Sequence, residues 1–503
     1  MWDQSVTKAL LALLVAAPVA QASPLCGRSD ETVASTACTE LSAQGLQVLI
    51  PAEDGYETRV ESWWSADSRL TPTCIVQPKN ATEVAQIVSI LSSGSANFAI
   101  RSGGHSHWAG GSNVEAGVTI DLGLMKGTTY DASTGLASVL PGGRWADVFT
   151  TLEAYSVAVP GGRDGNVGVA GFLTGGGNSY YTARAGFGCD SIVNAEVVLA
   201  NGTIVNANKD TNSDLLKALK GGSGNFGIVT RFDLQTIAGG PFWGGIRASN
   251  VSQSEIITNA MVNFTDTNDE NPETSFLINW TYNPSIASEV VLAQVMVDTT
   301  GVEKPAVFND ALEATELFSG FSVRPLSEMA DTYALPSGLH NVWFSLTFAN
   351  DARIIRKGAA LHATFVEELL AEIPAAELGT QMLFQPLPKL FADIGVANGG
   401  NVLGLDRIEG NSLLWLLSCT VETAEQEVLL REKASAFSAA MQTYAESVDG
   451  LREWRYLNYI DPSQDHPITS YGSENVAFLR TVAAKYDPAG FFQTQRKAGF
   501  KLP

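Results

Sequence analysis

The spacing of apolar positions predicts a βαβ beginning to the folded part of the chain. TCIVQP at 73–78 reads as a buried strand closed by Pro78. Asn80 with Glu83 three residues on resembles a helix start. Val84, Ile87, Val88 and Leu91 then give that helix one apolar face. FAIRS at 98–102 and GVTIDL at 117–122 are the next strands, and GGRWADVFTTLEAY at 142–155 is a helix with Trp145, Val148, Phe149 and Leu152 on one side. NAEVVLANGTIVNA at 194–207 reads as a hairpin with Asn201-Gly202 as a type I′ turn signal.

The pattern changes near residue 240. LINWTYN, EVVLAQVMVD and HNVWFSLTF read as strands, and AALHATFVEELLAEI at 359–373 as a strong helix. The tail carries WRYLNYI, read as a strand, then a helix with Val476, Leu479, Ala483 and Tyr486 in register, stopped at Pro488. A strand with Tyr456 and Asn458 on one face turns Tyr459 to the other. The reading is therefore a leader (1–22), an N-terminal segment (23–69), a first domain (70–240), a second domain of antiparallel sheet backed by helices (241–450) and a C-terminal return (451–503). A chain of 503 residues is long enough for two cores.

Composition narrows the function. With 53 acidic against 31 basic residues the net charge is −22, and no Lys/Arg cluster exists to bind nucleic acid. Lys8, an apolar run and Ala20-Gln21-Ala22 read as a cleaved secretory leader, too short to span a bilayer. Secretion permits disulfides among Cys26, Cys38, Cys74, Cys189 and Cys419. Cys38 with Cys74 is the pairing favoured here, and the odd count leaves one cysteine over. Sequons at Asn80, Asn201, Asn250, Asn263 and Asn279 suit a secreted glycoprotein. With only five histidines and no HExxH, CxxC or GxSxG, neither a metal site nor a nucleophile elbow is expected.

Glycine carries the candidate chemistry. Residues 101–177 hold 18 of the 47 glycines, mostly in RSGGHS (101–106) and in PGGRDGNVGVAGFLTGGGNSYYTARAGFGCDSI (160–192); KGGSGNFGIV (220–229) adds a third cluster. Gly222, Gly224 and Gly227 match GxGxxG, but a helix precedes them and a strand follows, the reverse of a Rossmann context. Three glycine clusters flanked by strands suit a pyrophosphate cofactor held by backbone N–H groups, which also lets an acidic protein hold an anion.

At these residues the chain resembles the FAD-binding domain of the vanillyl-alcohol-oxidase superfamily, in its berberine-bridge-enzyme-like branch; the tail YLNYID and the segments FQPLPKLF and GGNVLGLDR resemble fungal members. The resemblance implies an α+β fold: a two-part FAD-binding domain with an inserted antiparallel-sheet substrate domain backed by helices. It implies FAD bound through the histidine of RSGGHS, here His105, with Arg101, Ser102, Gly103, Gly104 and Ser106 beside it. It assigns Gly162, Val167, Gly168, Gly171, Gly175, Gly176, Asn178, Gly227, Ile228 and Asn458 to the same cofactor. Many relatives carry a second, cysteinyl link; Asp164 stands at that place, so a single link is implied. Val167 falls at a gate position associated with room for dioxygen.

Tyr456, Tyr459 and His107 are the candidate catalytic groups, and the strand NSLLWLLSC offers leucines and Trp415 where some relatives place a carboxylate or amide. The expected activity is oxidation of a small, partly apolar alcohol or polyketide-like substrate, with oxygen as acceptor, by a monomer. Oligosaccharide oxidation, with Trp243, Trp280 or Trp343 as sugar platforms, and a secreted flavoprotein without turnover are the alternatives.

Overall fold

Strands Cys74–Val76 and Phe98–Arg101 both lie parallel against Val118–Asp121, and Val48–Leu49 pairs antiparallel at the far edge. The computed structural model that shows this describes residues 26–332 and 334–503; the leader expected at 1–22 lies outside them. Helix Ala81–Ser93 connects the first two of these strands. The Asn80 Oδ1 accepts the Glu83 N–H at 2.9 Å, and the Glu83 carboxylate accepts the Lys79 N–H at 2.8 Å. This exchange satisfies N-terminal donors that the helix itself cannot. Val84, Ile87, Val88 and Leu91 are all buried, each contributing roughly 1.5–3 kcal/mol relative to exposure. They pack with Phe98, Val118, Val198 and Ile228, so one core joins this sheet to the next. A disulfide joins Cys38, on helix Cys26–Ala43, to Cys74 on the first parallel strand, while Cys189 and Cys419 are buried free thiols.

The second sheet is antiparallel, in the order 128–131, 136–139, 228–235, 192–198, 204–208. Its hairpin Ile192–Val198/Ile204–Asn208 closes differently from the type I′ expectation. The Gly202 N–H donates to Leu199 O, and of the turn residues only Gly202 has positive φ, at 78°. Type I′ needs positive φ at two residues; here one glycine follows an ordinary turn and restores the strand twist.

Residues 242–452 supply a nine-stranded sheet, all antiparallel. Side chains alternate between its faces with period two. Trp280, Met296, Phe384, Trp415 and Leu417 pack on helices Ser254–Thr267, Ala352–Leu370 and Ala424–Ser447. On the other face, register places Ala248, Ala293, Asn279, Leu383 and Leu416 in one row across five strands. That row faces a cavity.

The chain then returns to the first half. Helix Ser473–Tyr486 places the Tyr486 hydroxyl 2.7 Å from Asp214. Phe98 exchanges backbone hydrogen bonds with Gln495 and Lys497, extending the parallel sheet at its edge. WRYLNYI is not a strand. The N–H groups of Tyr459 and Ile460 both donate to Tyr456 O, so the segment is a turn. Its aromatic-rich composition imitates a strand, but the turn stacks Tyr456 and Tyr459 edge to face at 4.7 Å instead of sending them to opposite faces. Among the described residues no helix is long and apolar enough to cross a membrane.

Candidate active site

A cavity of about 720 Å³ runs from the glycine-rich loops to the open face of the nine-stranded sheet. RSGGHS follows the strand Phe98–Arg101 directly, and strand alternation decides which of its residues enter the cavity. Arg101 does not. Its guanidinium lies 3.5 Å over the Trp63 ring and donates to the carbonyls of Arg59 and Ser62. Burial pushes its pKa down to about 9, against the raising effect of Asp121. Arg101 is thus a structural post, contrary to the cofactor role expected for it. Ser102, Gly103, Gly104, His105 and Ser106 all line the cavity.

Backbone approach explains the glycines. A Cβ on Gly103 would lie 2.6 Å from the Gly168 Cα, so two loops meet where neither can carry a side chain. Gly104 has φ +71°, and a Cβ there would meet Arg101 Nε at 2.7 Å. A Cβ on Gly171, by contrast, would meet nothing within 4 Å, although this residue lines the cavity. Gly162, Asp164, Val167, Gly168, Asn178, Gly227, Ile228 and Asn458 line it too. Gly175 and Gly176 do not. A Cβ on Gly175 would strike the Asn458 amide at 2.0 Å and one on Gly176 would press on Tyr456 at 3.2 Å, so loop packing is what requires glycine at these two positions.

His105 is held by two neighbours that sequence spacing could not reveal. Its ring stacks on Trp64 at 4.3 Å and 9°, and its Nε2 lies 3.4 Å from Asp164 Oδ2 without a well-formed hydrogen bond. Asp164 also accepts the N–H groups of Leu335 (2.8 Å) and Asn166 (2.7 Å). Burial raises the carboxyl's pKa, but His105 and these two donors outweigh it and hold the group below its ordinary value.

Trp64 meets Trp343 edge to face at 5.6 Å, and Trp343 carries His107 stacked at 4.9 Å and Tyr459 edge-on at 5.7 Å. His107 is buried, its Nε2 has no partner, and desolvation pushes its pKa down to about 4, so the ring is neutral at neutral pH. Tyr456 is fully buried; its hydroxyl accepts the N–H groups of Gly177 (3.0 Å) and Asn178 (2.8 Å) and the Asn458 amide (3.2 Å). Burial raises its pKa, so Tyr456 braces the glycine turn and is not set up to accept a proton. Tyr459 lines the cavity from the next turn position.

Trp343 is in the cavity wall, but Trp243, Trp280 and Trp415 are buried in the helix-backed core, so three of the four tryptophans considered above cannot meet a substrate. The sequon at Asn279 is corrected as well. Asn279 lies in a central strand, lines the cavity and donates to Gln381, which leaves no route for a glycan. Residues that sequence reasoning passed over include Arg163, Gln385, Ser223 and Arg496. Arg496 is a buried cation held by Asn225 and backbone carbonyls, its pKa lowered by burial to about 10.

Known proteins match this architecture. A family model for an FAD binding domain matches residues 72–208. The FAD-dependent monooxygenase drtC of Aspergillus calidoustus is 37% identical over 509 residues, covering 99% of this chain and 97% of that protein. The chain belongs to the FAD-linked oxidoreductases, in the family of the fungal FAD-dependent monooxygenases. Another relative of this family, the FAD-dependent monooxygenase sdcF of Emericella nidulans, is 35% identical, covering 94% of this chain and 99% of that protein. The fold recurs in solved structures. 6-Hydroxy-D-nicotine oxidase of Arthrobacter nicotinovorans has TM-score 0.74 at 20% identity (91% of this chain, 98% of that one). Glucooligosaccharide oxidase of Acremonium strictum, whose FAD is 6-S-cysteinyl and 8α-N1-histidyl, has TM-score 0.75 at 18% identity (93% and 99%).

The residues present fit FAD. Open space beyond Gly171, a wall of glycine backbone and an imidazole nitrogen without a hydrogen-bond partner together leave a berth that protein atoms do not fill. The buried cation Arg496 and the loop at Ser223-Gly224 supply positive charge and backbone at one end of the same cavity.

Proposed function

We propose that this chain is an FAD-dependent oxidase that takes hydride from a small, partly apolar alcohol or polyketide-like substrate, holds its flavin through one covalent bond from His105, and uses dioxygen as electron acceptor with release of hydrogen peroxide. The observation that carries this reading is the single cavity shared by His105 and the open face of the sheet. Bound FAD would supply the hydride acceptor and the route of electrons to oxygen. The chain's own groups do the rest. Trp64 and Asp164 fix the His105 ring, and Val167 leaves a small side chain in the wall. The neutral His107 imidazole and the Tyr459 hydroxyl stand on either side of Trp343 as the groups placed to hydrogen-bond the substrate's hydroxyl and assist its deprotonation. The sheet row of Ala248, Ala293, Leu383 and Leu416 excludes water from an apolar substrate body. The relatives' name, monooxygenase, describes those proteins and would also draw on oxygen.

Oligosaccharide oxidation is the reading that the Acremonium strictum neighbour favours. The mostly aliphatic sheet row and the burial of Trp243 and Trp280 count against it, because sugar rings need exposed aromatic platforms. Secretion as a monomeric glycoprotein belongs to the same proposal; the leader motif, the Cys38–Cys74 disulfide and the sequons at Asn80, Asn201, Asn250 and Asn263 support it.

The test is direct. The purified protein is precipitated in acid and the pellet examined for yellow colour, then a library of alcohols and phenolic polyketides is screened for flavin bleaching and peroxide. Colour in the pellet, lost in His105→Ala, is the expected result. A colourless purified protein ends the proposal, and a yellow protein that no substrate bleaches favours the non-catalytic alternative.

A further inference from the structure

The cavity holds a cation that has no carboxylate partner among the described residues. Arg163, next to Asp164 in the second glycine-rich segment, donates to Gln385 Oε1 (2.8 Å), Asn178 Oδ1 (3.2 Å) and Ser179 O (3.3 Å), all neutral acceptors. Its guanidinium lies 5.4 Å from the centre of the Tyr180 ring. Among the described residues that line the cavity, Asp164 is the sole carboxylate, and it is taken up by His105 and two backbone donors. In a chain of net charge −22, a cavity almost free of acids is a selective arrangement.

Two hydrogen-bond donors there also lack acceptors. Arg163 Nε and Gln385 Nε2 are buried and have no hydrogen-bond partner among the described residues, and Gln385 is 1% exposed. The Gln385 carbonyl is already used by Arg163 and, at 3.4 Å, by the Asn178 amide, which fixes the orientation of the Gln385 amide. Buried donors without acceptors are costly, and a guanidinium beside an amide matches an anionic oxygen better than any neutral group. The rest of the substrate side, along Leu383 and Leu416, is apolar.

We propose that Arg163 and Gln385 form a subsite for an anionic oxygen, a carboxylate or phenolate, on an otherwise apolar substrate. This names the substrate class of the oxidase proposed above and rests on that reading. A cationic amine would meet repulsion at the same place, and a neutral sugar would leave Arg163 without a counter-ion.

Holoprotein is titrated at neutral pH with benzoate and with its neutral isostere benzamide, and, above the phenol's pKa, with 4-nitrophenolate and 4-nitroanisole. Binding is read both from the visible flavin spectrum and from the rise in Tm. The anion of at least one pair is expected to bind about tenfold or more tightly than its neutral partner. Which pair shows the preference separates carboxylate from phenolate. Arg163→Met should abolish the preference, Arg163→Lys should keep part of it, and Gln385→Glu should reverse it. Equal binding within both pairs, or a preference unchanged in Arg163→Met, overturns the proposal, and the wild-type titration decides even where a variant does not fold. Because Tm needs no flavin signal, a colourless protein would fail the FAD reading without deciding the anion preference.

Discussion

Asp164 Oδ2 stands 3.4 Å from His105 Nε2, so a carboxylate contacts the residue proposed to carry the flavin. The carboxylate faces the imidazole edge without a well-formed hydrogen bond, so its hold on the ring's orientation is electrostatic. Asp164→Asn removes the charge and sets an amide donor against one of the N–H groups of Leu335 and Asn166, at a cost of about 1–3 kcal/mol. The expected outcome is a yellow protein whose flavin partly leaves the polypeptide in acid, measured as absorbance in supernatant against pellet. Full retention in the pellet would show that the carboxylate has no part in orienting His105.

Trp64 makes the second contact. It is buried, stacks on His105 and meets Trp343 edge to face. Trp64→Ala should lower stability by about 3–5 kcal/mol and reduce covalent flavin, because the ring loses its platform. Trp64→Phe keeps a flat surface and should recover most of the covalent flavin. Acid-stable absorbance and urea melts of the two variants decide this, and equal losses in both would argue that packing alone matters.

The two tyrosines of YLNY should separate cleanly. Tyr456→Phe leaves the N–H groups of Gly177 and Asn178 without their acceptor and should cost about 1–3 kcal/mol of stability. Tyr459→Phe removes a cavity-lining hydroxyl that has no hydrogen-bond partner among the described residues. It should leave Tm almost unchanged and slow flavin reduction by roughly 10²–10⁴-fold if that hydroxyl is the base. Stopped-flow reduction against Tm distinguishes them; a Tyr459→Phe protein with normal reduction transfers the role to His107.

What was legible in the sequence follows physical range. The helix face at Val84–Leu91, the Asn80 cap and the glycine loops at 103–104 and 168 depend on neighbours within a few residues or on the bare backbone itself, so pattern alone finds them. Arg101 misleads because a motif is contiguous while a strand alternates: its neighbour Ser102 enters the cavity and Arg101 turns to Trp63. Tyr456–Tyr459 misleads because aromatic density marks strands, and a turn buried on two N–H groups carries no glycine or proline to announce it. Arg163, Gln385 and the Trp64–His105 stack were out of reach, since each depends on register between segments 41 to 222 residues apart.

Two buried histidines set an acid limit on stability. Burial lowers the pKa of His107 to about 4 and that of His362, whose Nε2 lies 3.0 Å from the Thr380 hydroxyl, to about 3. Both titrate near 6.5 when unfolded. Above that pH both states carry neutral rings and the histidines contribute no pH dependence. As pH falls from 6.5 toward 4 the unfolded chain binds protons that the native one refuses, so stability drops, by about 1.4 kcal/mol per pH unit for each ring. His362→Gln keeps a polar group near Thr380 and removes one titration, so its urea-melt stability should fall less steeply than wild type between pH 6.5 and 4.5, with no difference in slope above pH 7. Parallel slopes across the whole range would mean that the His362 site admits a proton in the folded state.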